Sequence, residues 1–554
     1  MKSIPLLLSL FALAIAAPAQ ENAEIPTAPE GYRRPEGYDP VPHRYKHSLT
    51  EMQNLFSEKT MRAAEALYDR LLKTNADGKW KPYMASLRRH TTPEWFSDVK
   101  FGMFIDWGPW SVAGWSPKSA GGASYADWYE KRMHQPKRAD GALVRKYHEK
   151  NWGADFHRDD FIPLFKARNY QPEKLVDVAL ESGMKYIVPF IKGHNGFCLW
   201  PSAFTHRHTG VTLGKDLVKP LADASRAKGL KFGAYYSVDD WEHPIIDSDG
   251  KIIRRNSIWV SGDAKVRWEP YTPELETLAS GKIPVENMAV HYIIPKAMEL
   301  IDKYDPDILW FDGEWTTPTE DTGVYEIAAY YYNQAEGRKE VAINDRYGLD
   351  RHGLISGKKS LRGALGDYFT SEFGEVSDKI ERHAWEECRG ISTSYGFNWE
   401  DTDENVMSSK KFIDMFVDIV SRGGNLLLMT NLDAQGALPE VLETRLKDIG
   451  KWLKVNGEGI YNTRAYSTHS EGNVRYTRGK DNKTVYAISL EWPGTQLKLT
   501  SVKPAENSKI HMLGYAEPLN WSWQNGVTTI ELPANLQNAS NRPCEHAYIF
   551  RIRQ

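Results

Sequence analysis

Apolar and polar positions along the chain alternate between two periods. Runs of three to seven apolar residues, short enough for strands, are followed by stretches with apolar residues every three or four positions, the spacing of an amphipathic helix. The short runs are Lys100–Asp106, Lys185–Ile191, Lys231–Ser237, Asp307–Asp312, Val341–Arg346 and Asn425–Thr430, with Asp367–Phe373 and Arg389–Ser394 as further strand candidates. The helical stretches are Pro172–Gly183, Asp216–Leu230, Met288–Tyr304, Ile327–Gln334, Phe412–Ser421 and Glu440–Val455. Gly183 and Gly229 stand where helices stop. Repeated strand-then-helix units predict a parallel sheet with helices outside it. About eight units fit an α/β fold of the (β/α)8-like barrel class. A doubly wound open sheet is the alternative, but no glycine-rich dinucleotide turn follows any strand.

The pattern changes at both ends. Residues 1–19 carry Lys2, an apolar run from Ile4 to Ala16 and the small-residue triplet Ala17-Pro18-Ala19, the layout of a signal peptide. An exported protein, secreted or periplasmic, is the expectation. Residues 20–90 read as a leader rich in Pro, Glu and Tyr followed by a helix over 49–74, and residues 91–461 as the barrel. From 462 to 554 the period falls to two, as in Thr484–Trp492, Gln496–Thr500, Val527–Leu532 and His546–Ile552. Pro493-Gly494 and Asn525-Gly526 mark turns. This part reads as a C-terminal antiparallel β-sandwich. Trp492, Trp521 and Trp523 could offer a glycan rings there, though such domains more often brace a barrel's flank.

Composition narrows the chemistry. The 554 residues hold 70 Lys and Arg against 73 Asp and Glu, a formal net charge of −3, which argues against nucleic-acid partners. After the leader no apolar run is long enough to span a bilayer, so no membrane insertion is expected. Cys198, Cys388 and Cys544 form neither a disulfide framework nor a zinc spacing, and they read as free and buried. With 19 tryptophans and 28 tyrosines, the chain is rich in rings that stack on sugar faces. Oligomeric state is not written in the sequence.

A barrel carries its active site at the C-terminal ends of its strands. The polar residues there are Asp106, Lys192 and His194, Tyr235 and Tyr236, Asp312, Asn344-Asp345-Arg346, and Glu372. They are mostly carboxylates and aromatics, with no cysteine nucleophile and no phosphate loop. Two carboxylates on different strand ends can share one glycosidic bond, one attacking and one protonating. Asp312 follows the apolar Ile308–Phe311; taken alone, it could equally cap the next loop.

At these residues the chain resembles glycoside hydrolase family 29, the α-L-fucosidases. KFGMFIDWGPWSV resembles the family's KFGxFxHWGxYSV, YADWYEKRM its EWY segment, and IKGHNGFCLW its KHHDGFxLW. GKDLVKPLADASRAKGLKFGAYYS, ILWFDG, AINDRYG, WEECRGISTSYGFN and VSRGGNLLLMTNLDAQGALP resemble further family segments in the same order. The resemblance implies a (β/α)8-like barrel with a C-terminal β-sandwich and a retaining exo-glycosidase that needs no cofactor and no metal. It implies Asp312 as nucleophile and Glu372 as acid/base, with Glu375, Glu386 and Glu387 as nearby rivals. It assigns substrate contacts to Asp106, Trp107, Asp127, Trp128, His194, Trp310, Arg346 and either Tyr235 or Tyr236. An apolar setting from Phe369 and Phe373 is expected to keep Glu372 protonated at first.

Three positions depart from the family pattern: Asp106 and Gly193 stand where it has histidines, and Asn195 where it has aspartate. Gly193 is expected to open space. The glycan substrate is then fucosylated, or it ends in a related L-sugar such as L-galactose or in a substituted fucose. A sulfated sugar would meet Lys251, Arg254 and Arg255, or Lys131, Arg132, Lys137 and Arg138; a solvated charged surface is the plainer reading of both clusters. A catalytically degenerate barrel that only binds glycan is the rival class.

Overall fold

The computed structural model describes residues 24–38, 58–118, 124–135, 137–241, 243–249, 251–256, 268–270, 281–313, 322–347, 365–373, 380–381, 383–392 and 394–554. The expected signal peptide, Glu375 and the side chains of Arg254 and Arg255 lie outside the described residues.

Eight parallel strands form one sheet: β1 (Phe101–Ile105), β2 (Tyr186–Lys192), β3 (Lys231–Ser237), β4 (Ile308–Asp312), β5 (Ala342–Ile343), β6 (Phe369–Glu372), β7 (Trp385–Gly390) and β8 (Gly424–Met429). Their spatial order is β6-β7-β8-β1-β2-β3-β4-β5. The two ends meet through a parallel bridge between Asn344 and Tyr368, and the Asp367 N–H donates to the Ile343 carbonyl at 2.8 Å. The sheet therefore closes into the expected barrel. β5 is shorter than the apolar run suggested: beyond Ile343 the chain keeps only the Asn344 bridge, and the side chains of Asp345 and Arg346 bond to Thr370.

Helices cover the outside: α1 (Pro172–Glu181), α2 (Val218–Ala227), α3 (Ile294–Tyr304), α4 (Val324–Ala335), α5 (Ser409–Ser421) and α6 (Glu440–Asn456). The stretch expected as one helix from Met288 begins with a wider π-type turn over Ala289–Ile293. Pro295 has no N–H for an ordinary i→i−4 bond, which loosens the winding just before it. A helix over Ala139–Asn151, absent from the sequence expectation, carries few apolar side chains and is masked by its charges. Its Asn151 holds the leader, accepting from the Ala28 N–H at 2.8 Å.

The strands alternate faces as their pleat requires. In β4, Ile308 and Trp310 join an inner cluster in the barrel, while Leu309 and Phe311 pack against the helices. The same split runs through Phe104 against Met103 and Ile105, and Tyr235 against Tyr236.

The C-terminal part is antiparallel throughout. Thr463–Glu471, Val474–Gly479, Thr484–Ser489, Tyr548–Arg553 and His511–Met512 make a five-stranded sheet, in that spatial order, and Gln496–Leu499, Val527–Glu531 and Trp521–Gln524 a three-stranded one. The two sheets share a separate apolar core. Trp492 and Trp521, partly buried, pack against it, donating to Gln537 at 3.1 Å and to the Ser508 carbonyl at 2.9 Å. The domain docks on the barrel through the Trp452 indole, which donates to the Ala547 carbonyl at 2.8 Å, and the Arg475–Asp418 pair at 2.6 Å. Cys198 and Cys388 are buried free thiols; Cys544 is free and half-buried. Among the described residues no helix is long and apolar enough to cross a membrane.

Candidate active site

Asp312 ends β4 on the inner face, two residues beyond Trp310. Burial alone would disfavour its ionised form, so its surroundings have to supply donors. The Tyr235 hydroxyl donates to Oδ2 at 2.8 Å and the Gly313 N–H to Oδ1 at 3.0 Å. His194 Nε2 lies 3.6 Å from Oδ2, and Arg346 Nη1 3.5 Å from Oδ1. The end of β4 is itself fixed. The Asn344 amide accepts from the Phe311 N–H and donates to its carbonyl, both at 2.9 Å.

His194 is oriented by Ser237, whose Oγ is 2.7 Å from Nδ1, and by the Tyr235 hydroxyl 3.2 Å from Nε2. Burial pushes the imidazole down to about 4, against the opposing pull of Asp312, so it is neutral at physiological pH. Tyr235 stacks on Phe190 at 3.7 Å and faces Trp310 at 5.4 Å. Burial, followed by the charge of Asp312, raises its phenol well above the usual range, so it stays a donor.

Arg346 joins the two expected carboxylates. Its guanidinium rests over the Trp310 ring at 4.8 Å, and Nε donates to Thr370 Oγ1 at 2.8 Å. Thr370 in turn donates to Asp345 at 2.7 Å. One nitrogen, Nη1, lies 2.6 Å from Glu372 Oε1 and 3.5 Å from Asp312 Oδ1. Glu372 is thus not in the apolar setting expected from Phe369 and Phe373. It is ion-paired, and 22% of its side chain is exposed at the barrel mouth.

The rivals separate by geometry. Glu386 is buried deep in the barrel, accepting from Trp310 Nε1 at 2.9 Å and Tyr186 Oη at 2.6 Å. Burial raises it to about 7 despite those donors. Glu387, also buried, is on the alternate face of β7.

Asp106 and Asp127 form a second corner. Asp106 follows β1 on the inner face, fully buried, and Oδ1 accepts from Trp110 Nε1 at 2.9 Å. Asp106 Oδ2 and Asp127 Oδ1 are buried without a hydrogen-bond partner among the described residues. Burial holds both carboxyls above their ordinary range: Asp106 well above, with Asp127 adding to it, and Asp127 at about 8, with Asp312 and Glu372 opposing ionisation and Arg132 favouring it. Between them the pair keeps a proton near neutrality. Trp128, the next residue, meets His194 edge-on at 5.5 Å.

The space expected beside Gly193 is filled. A Cβ there would lie 3.0 Å from Cη2 of Trp110. Asn195 is structural, donating to Glu130 Oε2 at 3.0 Å and accepting from the Phe197 N–H at 3.0 Å.

Two predicted contacts are not brought to this cluster. Trp107 lies on the helix side of β1, stacked on Tyr170 at 4.9 Å, and donates to the Asp433 carbonyl at 2.7 Å. Tyr236 lies on the helix side of β3 and donates to the Ile293 carbonyl at 2.9 Å. Strand alternation was the available signal for both. The basic cluster after Tyr125 is already engaged as well. Lys131 sits over Trp241 at 5.1 Å, Arg132 over Trp128 at 4.8 Å and beside Asp140 at 2.9 Å, and Arg138 pairs with Asp140 at 3.0 Å. Residues to which sequence reasoning gave no role are Ser237, Thr370 and Trp110; Ser237 and Trp110 lie inside quoted motifs, and Thr370 carries no signal of its own. Among the described residues no group of three or more His, Cys, Asp or Glu is placed to hold a metal ion. A hollow of about 220 Å³ lined by Tyr32, Phe397, Trp399 and Asn431 contains none of the predicted residues.

The sequence profile of the family described as Alpha-L-fucosidase matches residues 69–458, and that of the Alpha-L-fucosidase C-terminal domain matches 468–553. The chain is 30% identical over 484 residues to an Alpha-L-fucosidase of Branchiostoma floridae, covering 86% of this chain and 96% of that protein. It is 31% identical over 466 residues to the human Plasma alpha-L-fucosidase, covering 82% and 89%. A crystal structure of Thermotoga maritima alpha-fucosidase in complex with fucose superposes with a TM-score of 0.67 at 29% identity, covering 85% of this chain and all of that one.

Proposed function

The chain belongs to the alpha-L-fucosidase family, and from that premise we propose that it removes a terminal α-linked L-fucose, or a closely related L-sugar, from glycans with retention of anomeric configuration. The observation that carries this reading is the shared Arg346 nitrogen. Oxygens at 3.5 Å and 2.6 Å from one atom are at most about 6 Å apart, which is short of the ~6.5–9.5 Å of inverting enzymes and compatible with the ~5–5.5 Å of retaining ones. Asp312 is the nucleophile. Its lone pairs are aligned by Tyr235 and Gly313, and neutral His194 offers contact to the sugar without adding charge. Glu372 is the acid/base, protonating the leaving oxygen and later taking a proton from water. Its first task requires that Arg346 release it when substrate is seated, and the second is served by the ion pair as it stands.

Arg346, Trp310 and Trp128 form the wall of the glycone site. Asp106 and Asp127 receive sugar hydroxyls. Export is part of the proposal and is supported by the N-terminal sequence pattern alone. A sulfated substrate gains little support, because Lys131, Arg132 and Arg138 are already engaged with aromatic and acidic partners.

The test uses a 4-nitrophenyl α-L-fucoside and nuclear magnetic resonance of the first-formed sugar. The α-anomer is expected. Release of the β-anomer would exclude a nucleophilic Asp312. In Glu372→Gln, kcat/KM should fall by about 10²–10⁴-fold on natural linkages, and on the 4-nitrophenyl glycoside, whose leaving group departs without an acid, azide should restore turnover as the glycosyl azide.

A further inference from the structure

Trp110 follows β1 in a short 3-10 turn, Pro109–Val112, and belongs to the inner cluster with Phe190, Tyr235 and Trp310. It is 3% exposed. Two glycines make its slot. A Cβ at Gly108 would lie 2.3 Å from Cζ3 of the indole, and one at Gly193 would lie 3.0 Å from Cη2 and 3.3 Å from Cζ3. Gly108 has an extended backbone, φ 175°, which any residue adopts, and Gly193 has no left-handed φ. Room, not backbone freedom, is therefore what both glycines supply. The ring's single donor is directed to Asp106 Oδ1 at 2.9 Å, and Asp106 Oδ2 is left buried and unpartnered.

We propose that Trp110 is the specificity-determining residue of the glycone pocket, acting with Gly193 and Asp106 as one unit that hydrogen-bonds a sugar hydroxyl and closes the space an O-substituent would need. This rests on the glycosidase reading above and narrows its substrate class. A carboxyl held by the indole and protonated near neutrality can give or accept a hydrogen bond at Oδ2, so an O-sulfated or O-alkylated sugar is disfavoured by the room the indole takes rather than by a missing proton. The glycone is thus an unsubstituted terminal L-sugar. A side chain at 193 would crowd the indole unless the ring moved by a few tenths of an ångström, so exchanges at 110 and 193 are expected to be coupled.

The test is a double-mutant cycle with Gly193→His, Trp110→Tyr and the double variant, on 4-nitrophenyl α-L-fucoside and α-L-galactoside. Gly193→His alone should lower kcat/KM on both substrates at least about tenfold, because the imidazole would press on the indole of Trp110. The double variant should recover at least about tenfold over Gly193→His, with the fucoside-to-galactoside ratio changed and the change carried by KM. Additive effects, or an unchanged ratio, would overturn the proposal. If melting curves show Gly193→His unfolded, Trp110→Phe decides. It keeps a ring in the slot without the N–H, and it should raise KM several-fold while leaving kcat within about twofold; an unchanged KM overturns the proposal. The glycosidase reading fails separately, if the wild-type protein releases nitrophenol from neither glycoside.

Discussion

The two acidic corners of the barrel mouth are built on opposite plans. Around Asp312, donors converge on the carboxylate from Tyr235 and Gly313, and His194 and Arg346 are held in place by Ser237 and Thr370. Around Asp106 and Asp127, two buried oxygens have no partner, and burial keeps the pair above the normal carboxyl range. A site that does chemistry gains from donors fixed before substrate arrives, since nothing then has to reorganise. A site that reads a ligand can leave acceptors open, because the ligand's own hydroxyls satisfy them. The cost of the open corner falls on the free protein, where each unsatisfied buried group costs roughly 1–3 kcal/mol.

The largest expected effect lies at the closed corner. Asp312→Asn keeps the shape and the Tyr235 and Gly313 neighbours but removes the nucleophile. A loss of about 10⁴-fold or more in kcat is expected on an aryl α-L-fucoside, with the inactive variant still binding free sugar by calorimetry. Activity within tenfold of wild type would place the nucleophile elsewhere and dissolve the contrast between the corners.

The next effect, at the open corner, is a pH dependence rather than a collapse. Asp127 is raised to about 8 and shares its site with Asp106, so the native pair binds more protons than the unfolded chain between the ordinary carboxyl range and that value. Its stabilising contribution is fully present at low pH and is lost as pH rises through about 8. The bound sugar loses a donor over the same window, so KM should rise on the alkaline side. Asp127→Asn should flatten that limb of the KM profile and raise KM about tenfold at neutral pH. His194 has the opposite sign. Its folded value of about 4 lies below the unfolded one, so its contribution is present above the unfolded range and is lost as pH falls toward 4. An alkaline limb that persists in Asp127→Asn would assign the titration to another group.

How much of this was legible in the sequence differs between the corners. The barrel followed from the alternation of periods; Asp312 stood out at the end of an apolar strand, and its role came from the family resemblance. The choice between Tyr235 and Tyr236 was also present, since Tyr235 shares the parity of Gly233 in β3 and faces inward with it, but it requires extending strand alternation to the strand's end. The same parity puts Asp106 inside and Trp107 outside. The ion pair of Glu372 was not legible, because Arg346 reaches it from another strand across a distance set only by barrel closure. Nor was the role of Gly193. A glycine in place of a larger residue suggests a void, and only the packed indole of Trp110 shows the void to be filled.

The smallest expected effect, at Tyr236, tests that parity directly when it is set beside the adjacent Tyr235. The Tyr235 hydroxyl donates to a carboxylate, a charge-assisted bond worth roughly 1.5–3 kcal/mol, so Tyr235→Phe should lower kcat by about 10–100-fold. The Tyr236 hydroxyl donates to the Ile293 carbonyl on the helix side, a neutral bond worth about 0.5–1.5 kcal/mol. Tyr236→Phe should leave kcat and KM unchanged. It should lower stability by no more than about 1–3 kcal/mol even with the Ile293 carbonyl left unsatisfied, a shift of a few degrees or less in Tm for a chain of this size. The two variants differ by one residue in position and one face in the sheet. If Tyr236→Phe lost activity while Tyr235→Phe kept it, β3 would have to present its other face to the pocket, and the donors assigned to Asp312 would fall with it.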